Sequence, residues 1–375
     1  MRVAMLALSR VPSRKANAIR VLKMSQAVQR LGHETCLWLP GPSPGLSEID
    51  IAAQYGLNEP IPIRWVPRSS WLRGYDYSWF GVLAARKWRA DLVFAWPLQA
   101  AAFASLLGLP TLLELHERPA GRSAAYLLRR FLRGRGARRL VVITRHLKRL
   151  LENDFRGTLG DVPLLVEPMA ADTRLYQGLP SPEEAKRKLG LEQRFTVSYT
   201  GHLYPGRGME VMVELAHRLP EVRFLWAGGE ASDVETWRGK VAQRGLGNIL
   251  LMGFLPQPEL PMIHAASDAL LMPYQRSVET SSGSNTMAYA SPLKLFEYLA
   301  AGRPILSSDL PVLREVLDES NSLLLPPEDV GAWEGALRWV MENPGAASEL
   351  GHSAKRMAEQ HTWEARAERI LEGLG

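Results

Sequence analysis

Short apolar stretches alternate with longer amphipathic ones along nearly the whole chain, and few architectures accept that order. Residues 2–8 read as a strand, 18–31 as a helix stopped by Gly32, and 35–39 as a strand again. Residues 92–95, 111–115 and 140–143 continue the strand series, with a helical stretch after each. Strands separated by helices pair in parallel, because a parallel pair needs a long crossover that a helix fills. Residues 161–182 break the pattern with four prolines and no long apolar face, so they read as a linker. The pattern then restarts, with strands at 195–200, 223–227, 249–251, 269–272 and 304–307 and helices at 209–219 and 234–244. The expected fold is α/β with two doubly wound, parallel-sheet lobes. Ligands are expected at the carboxyl ends of the strands and in the cleft between the lobes.

A length of 375 residues suits two such lobes, and 46% hydrophobic with 22% charged residues is ordinary globular composition. Cys36 is the single cysteine, so neither an intrachain disulfide nor a cysteine zinc cluster can form. The opening MRVAMLALSR is too short and too quickly charged for a secretory signal. Residues 92–113 carry no charge and are long enough to cross a bilayer, but Pro97, Gln99, Gly108 and Pro110 divide them into strand, helix, turn and strand. A soluble, cytoplasmic body is expected. The eight histidines do not cluster with carboxylates at ligand spacing, so no metal is expected. A net charge of +6 and a pI near 9.4 call for an anionic partner: a sugar diphosphate, an acidic lipid surface or nucleic acid.

The segment from Ser291 to Ile305, SPLKLFEYLAAGRPI, carries the most chemistry. Pro292 suits a first helical turn, where its missing N–H would be unsatisfied anyway. The helix then runs to about Ala301 and stops at Gly302. Free N–H groups near Leu293 and Lys294, at the positive end of the helix dipole, suit a diphosphate. Glu297 lies one turn further on the same face and can accept hydrogen bonds from a ribose diol. Spacing alone leaves an equal alternative, a capped surface helix with a solvated Glu297.

The run SPLKLFEYLAAGRPILSSDLPVLREVL resembles the C-terminal signature of the retaining glycosyltransferases of family 4, also called glycosyl transferases group 1, which have the GT-B fold of two Rossmann-like lobes. The resemblance implies that this segment binds the donor's diphosphate and ribose, with Glu297 as the final glutamate of an E-x7-E motif and Ser291 beside the donor. The first acid of that motif would fall on Tyr289. Asn285, Thr286 or Ser291 are candidates to replace it, which leaves the donor sugar open. YTGHLYPGRGMEVMVELA resembles the family's strand, glycine turn and helix, with Gly201 at the turn and His202 and Arg207 where relatives place diphosphate-binding cations. VRFLWAGGE matches the next glycine-rich turn, and Gly253 and Phe254 occupy the stretch whose backbone faces the nucleobase.

In the N-terminal lobe, KANAIRVLKMSQAVQRLGHET aligns with the family's first loop and helix. Ala16 and Asn17 would form the acceptor-side loop there, Asn17 as a helix cap, and Lys15 with Ala16 replaces a common Gly-Gly pair. His116, after TLLEL, holds the position of a histidine beside the donor sugar. The resemblance implies an N-terminal acceptor-side lobe over 1–168, a donor lobe over 169–358, and a C-terminal helix, 359–375, that crosses back to the first lobe. The implied catalytic residues are His116, His202 and Arg207. The co-substrate is a nucleotide-diphospho sugar, with no cofactor and no metal.

From Arg118 to Arg139 there are eight arginines and no lysine, mixed with apolar residues at helical spacing. Such a helix either packs its stripe on the sheet or rests on anionic lipid headgroups. Residues 64–96 carry five tryptophans interleaved with arginines. They suit an acceptor-stacking platform, a membrane interface, or a mixture of core and surface. No nucleic-acid module is present, so nucleic acid is not expected as a partner.

The reading that follows is a retaining, metal-independent hexosyltransferase. It moves sugar from a nucleotide-diphospho sugar to a hydroxyl on a carbohydrate or lipid-linked acceptor, in assembly of cell-envelope polysaccharide or glycolipid. An anionic membrane surface is a candidate partner, with the chain peripheral on its inner face. Two alternatives stay open: a catalytically silent GT-B nucleotide-binding partner protein, and a GT-B nucleotide-sugar epimerase.

Overall fold

A computed structural model describes residues 1–277 and 288–374. The chain divides into two compact units, Met1–Met169 with Trp363–Gly375, and Ala170–Thr362.

The first unit is built on seven parallel strands: β1 (Arg2–Leu6), β2 (Glu34–Pro40), β3 (Ile63–Val66), β4 (Leu92–Ala95), β5 (Thr111–Leu115), β6 (Ala137–Val142) and β7 (Leu164–Val166). Their spatial order is β3-β2-β1-β4-β5-β6-β7, so the winding reverses between β1 and β4. The crossovers are α1 (Ala16–Arg30), α2 (Glu48–Gln54), α3 (Tyr75–Lys87), α4 (Leu98–Leu106), α5 (Gly121–Leu132) and α6 (Arg145–Asp154). Strands β1 and β4 are buried almost end to end, as the central strands of a sheet covered on both faces must be. The uncharged stretch over 92–113 folds as β4, α4 and the start of β5, and no helix among the described residues is long and apolar enough to cross a membrane.

Two local expectations are corrected. The stretch over 161–182 is not wholly linker, because Leu164–Val166 adds β7 to the sheet edge. A three-residue edge strand is too short to show a period. Asn17 does not cap α1: the cap position is Lys15, with no side-chain bond, and Asn17 instead accepts from Arg20 Nη2 at 2.6 Å.

The second unit begins with α7 (Pro182–Lys188), held by a capping box between Ser181 and Glu184. It continues through β8 (Thr196–Thr200), α8 (Met209–Arg218), β9 (Arg223–Ala227), α9 (Ala231–Gln243), β10 (Ile249–Gly253), α10 (Leu260–Ala265) and β11 (Ala269–Met272). After the undescribed stretch come α11 (Leu293–Ala301), β12 (Ile305–Ser308), β13 (Leu323–Leu325), α12 (Val330–Glu342) and α13 (Pro344–Ala358). The six parallel strands run β10-β9-β8-β11-β12-β13, so here the winding reverses between β8 and β11. Pro292 lies one position outside the expected first turn, at the cap of α11, and Gly302 ends that helix in the left-handed region at φ 66°.

The last helix, α14 (Trp363–Leu371), belongs to the first unit. Its Arg366, 0% exposed, places Nη1 3.0 Å from the equally buried Glu114 of β5. Arg366 also donates to the Pro168 and Glu167 carbonyls, and Arg369 pairs with the Glu167 carboxylate at 2.9 Å. Removing one partner of a buried pair leaves the other charge uncompensated, at a cost of about 3–5 kcal/mol. Arg366→Met is therefore expected to destabilise the first unit by about 3 kcal/mol. Adding Glu114→Leu should recover much of that loss in urea unfolding. A single variant as stable as the parent would contradict this account of how α14 is held.

Candidate functional site

The reversal of winding between β8 and β11 leaves a crevice at their carboxyl ends, where doubly wound sheets bind ligands. The backbone there is drawn in tightly. Gly201 N–H donates to the Ala227 carbonyl at 2.8 Å, and Gly228 N–H to the Gly253 carbonyl at 2.6 Å. A Cβ on Gly228 would lie 2.1 Å from the Gly201 oxygen, and one on Gly208 would lie 1.9 Å from the Pro273 oxygen. These glycines let the turn after β8 fold against the ends of β9 and β11.

Two cations occupy the space so formed. Lys294, in the first turn of α11, is 8% exposed, and its Nζ lies 3.4 Å from the centroid of the Tyr199 ring and 5.2 Å from that of Tyr274. Arg207 places its guanidinium carbon 4.7 Å from the same Tyr274 centroid. Lys294 Nζ and Arg207 Nε are buried without a hydrogen-bond partner among the described residues, and no described ion pair joins either side chain to a carboxylate. Gly201, at φ 130°, brings backbone so close that a Cβ would meet Lys294 Nζ at 2.9 Å. Burial first, and then the Arg207 charge, push the Lys294 ammonium well below the usual lysine range, with Glu297 opposing.

The magnitudes show what is missing. Stacking on an aromatic face stabilises a cation by about 0.5–2 kcal/mol. Taking an ammonium out of water costs several kcal/mol, and a second cation nearby adds to that. The aromatic floor therefore offsets only part of the penalty. The balance is available to an anion that enters with its own charge, and Lys294 lies in the first turn of α11, at the positive end of the helix dipole.

A buried polar chain fixes this helix. Thr200 N–H donates to the Tyr298 hydroxyl at 2.9 Å, and that hydroxyl donates to the Leu271 carbonyl at 3.3 Å. His264 bridges the Thr200 hydroxyl (3.1 Å) and the Tyr176 hydroxyl (3.2 Å). Burial and then Lys294 lower the His264 pKa to about 3, so the ring is neutral. Tyr298 lies four residues after Lys294, so bolting Tyr298 to β8 and β11 also sets where the lysine points.

Five of the expected residues thus gather around one point: Gly201, His202, Arg207, Lys294 and, within electrostatic reach of the lysine, Glu297. His202 stacks on Tyr204 at 4.6 Å, and burial followed by Arg207 and Lys294 lower its pKa. Ser291 and Leu293 lead into α11, and Tyr289 is half-buried just before them. Gly253 and the exposed Phe254 lie at the end of β10, two strands away from β8. Asn285 and Thr286 fall outside the described residues. Among the described residues no three His, Cys, Asp or Glu side chains gather as a metal site. The tyrosine floor escaped sequence reasoning. Its only signal was a tyrosine at the end of each of two apolar strands.

The remaining expected residues cluster in the first unit. His116 follows β5, and its Nε2 hydrogen-bonds to Glu114 while its Nδ1 lies 2.6 Å from Arg20 Nη1. A guanidinium only donates, so Nδ1 accepts and Nε2 carries the proton. Burial, and then Arg20, lower the His116 pKa to about 4. Burial alone would raise Glu114, but Arg366, His116 and Arg20 hold its carboxyl far below the usual range. Trp96 Nε1 also donates to Glu114 at 3.1 Å. Both nitrogens of His116 are engaged, an arrangement that orients the ring and removes it as a base. Ala16 and Asn17 are exposed at the start of α1.

Comparison with known proteins places these sites in context. Residues 18–159 match the family model described as Glycosyltransferase Family 4, and residues 194–343 match that described as Glycosyl transferases group 1. The chain is 25% identical to the 2-deoxystreptamine glucosyltransferase of Streptomyces kanamyceticus over 87% of its own length and 89% of the relative's. It is 28% identical to the D-inositol 3-phosphate glycosyltransferase of Rhodococcus jostii over 57% of itself and 48% of that protein. The aligned stretch falls to 27% of the length of a Bacillus subtilis relative. Among solved structures, Anabaena HepE in complex with UDP-glucose superposes with a TM-score of 0.76 at 17% identity, covering 100% of this chain and 99% of that one. The sucrose-phosphate synthase of Thermosynechococcus elongatus gives 0.75 at 16% identity, over 98% and 97%. The two units have the GT-B fold.

An anion that recharges Lys294 must bring a proton with it. Pyrophosphate binding is expected to take up a proton between the free and the bound ionisation ranges of Lys294, so affinity weakens as pH rises through that window. Titration calorimetry in buffers of different ionisation enthalpy reads the uptake directly, and Lys294→Met should abolish it. Binding with no proton uptake would contradict the assignment.

Proposed function

We propose that the chain is a glycosyltransferase of GT-B type, which transfers a sugar from a nucleoside-diphosphate sugar to a hydroxyl acceptor with retention of anomeric configuration; the two matched glycosyltransferase regions and the fold support this reading. The observation that carries this reading is the pair of buried cations, Arg207 and Lys294, on the Tyr274 ring without a described carboxylate partner. A diphosphate completes such a site.

In this mechanism the bond between the anomeric carbon and the diphosphate oxygen breaks as negative charge grows on the leaving group. Arg207, Lys294 and the amides of α11 stabilise that charge, which is the largest catalytic contribution available without a metal. The acceptor hydroxyl attacks the same face of the sugar from which the diphosphate departs, and its proton passes to the departing diphosphate oxygen. His202 donates a hydrogen bond to the donor. Glu297 holds the ribose diol, and the backbone at Gly253 and Phe254 faces the base. In the first unit, His116 is a fixed neutral ring, and Ala16 and Asn17 line the acceptor loop. Support for the donor class comes also from HepE, whose structure holds UDP-glucose. The acceptor is a carbohydrate or lipid-linked hydroxyl in cell-envelope assembly. In keeping with that, relatives include an alpha-galactosylglucosyldiacylglycerol synthase and a phosphatidylinositol monomannoside mannosyltransferase.

A panel of nucleotide sugars, supplied with membrane extract as acceptor source, tests the proposal. Each hydrogen bond to a charged partner is worth about 1.5–3 kcal/mol, so Arg207→Met and Lys294→Met should each lower kcat/KM about 10- to 100-fold. Glu297→Ala should weaken donor binding. Consumption of no nucleotide sugar would defeat the reading. Donor binding that Glu297→Ala leaves unchanged, without turnover, would instead mark a silent binding protein. An isomerised nucleotide sugar formed with no acceptor would mark an epimerase.

A further inference from the structure

Helix α3 buries only one of its faces. Tyr77, Ser78, Gly81, Val82 and Ala85 turn inward, whereas Tyr75, Trp79, Phe80 and Leu83 are 38–52% exposed. Trp71, in the turn before the helix, is 78% exposed. Tyr75, Trp79 and Leu83 follow one another at four-residue steps and therefore form a single stripe, which the exposed Arg86 and Lys87 continue at the end of the helix. The edge of this stripe meets Phe103 of α4, at 5.5 Å from Trp79 and 6.3 Å from Tyr75. Scattered exposed apolar residues are normal on a protein surface, but an aromatic stripe rimmed by cations marks a binding face.

The charges along this stretch of chain are nearly all of one sign. Between residues 64 and 90 there are six cations and a single acid, Asp76, whose carboxylate is taken up by the Ser69 N–H. Helix α5 packs beside α4, and its apolar stripe of Leu127, Leu128 and Phe131 is buried on its own unit. The amphipathic character read in that helix thus serves the core. What α5 leaves outside is Tyr126, 58% exposed, with Arg122, Arg129 and Arg130. No acidic residue occurs from 118 to 151.

We propose that the α3 face, with Trp71 and the basic side of α5, docks the first unit on an anionic phospholipid surface. Tryptophan and tyrosine settle at the headgroup level, where one end of the ring is apolar and the other wet. Arginine and lysine around them draw in anionic headgroups over about a Debye length. This deepens the acceptor half of the proposed function by giving a lipid-linked acceptor a place to be met. It draws nothing from the donor site.

Vesicle co-sedimentation of the full chain, without donor, tests it independently of catalysis. The chain should bind phosphatidylcholine vesicles containing phosphatidylglycerol, bind pure phosphatidylcholine at least about ten-fold more weakly, and come off as salt rises. Trp79→Ser with Phe80→Ser, and separately Arg86→Glu with Lys87→Glu, should each weaken anionic-vesicle binding about ten-fold or more while leaving the circular-dichroism melt in place. Equal binding to both vesicle types, or variants that bind as the parent does, would overturn the proposal. So would a self-associating chain that Trp79→Ser with Phe80→Ser turns into a monomer, since that result assigns the face to a second copy.

Discussion

The Arg207 guanidinium and the Lys294 side-chain nitrogen share the face of Tyr274, and no described ion pair joins either to a carboxylate. In most folded chains a buried cation is paired, because desolvation outweighs what an aromatic ring can return. The second unit holds the pair by geometry alone. The Gly201 and Gly208 turns press the backbone inward, and the Tyr298 hydroxyl fixes α11 to β8 and β11. The winding reversal that separates β8 from its sequence neighbours supplies the crevice. Fold, helix placement and charge deficit are one arrangement, and its natural complement is a dianion.

The first unit solves the opposite problem. Glu114 is buried, yet it is met by Arg366, His116 and Trp96, while Arg20 closes the circuit through His116. A charge-paired node of this kind holds a helix end and a ring in place. On the proposed reading the charge chemistry falls to the second unit, and the first unit offers orientation and, through α3 and α5, the proposed docking surface.

Much of the architecture was legible because buried parallel strands write themselves as apolar runs and helices as periodic ones. Strand β7 was not, since three residues carry no period, and proline masked the rest. The cap of α1 was misread because Asn17 satisfies a cap pattern by type, whereas its amide serves Arg20. Around the candidate site, the helix start at Pro292 and the cation at Arg207 could be placed from spacing and resemblance. The role of the Lys294 side chain could not. Spacing puts it in a first turn, but only the assembled sheet shows Tyr199 and Tyr274 beneath it. The stripe on α5 is the same lesson in reverse: periodicity shows that a face exists, and packing decides what covers it.

The most direct test of the charge-deficit account is a crystal structure of the chain with a nucleoside diphosphate bound. The account predicts phosphate oxygens within hydrogen-bonding distance of Lys294 Nζ and the Arg207 guanidinium, at the amino end of α11. Diphosphate seated elsewhere, with Lys294 still turned onto the Tyr199 ring, would contradict it.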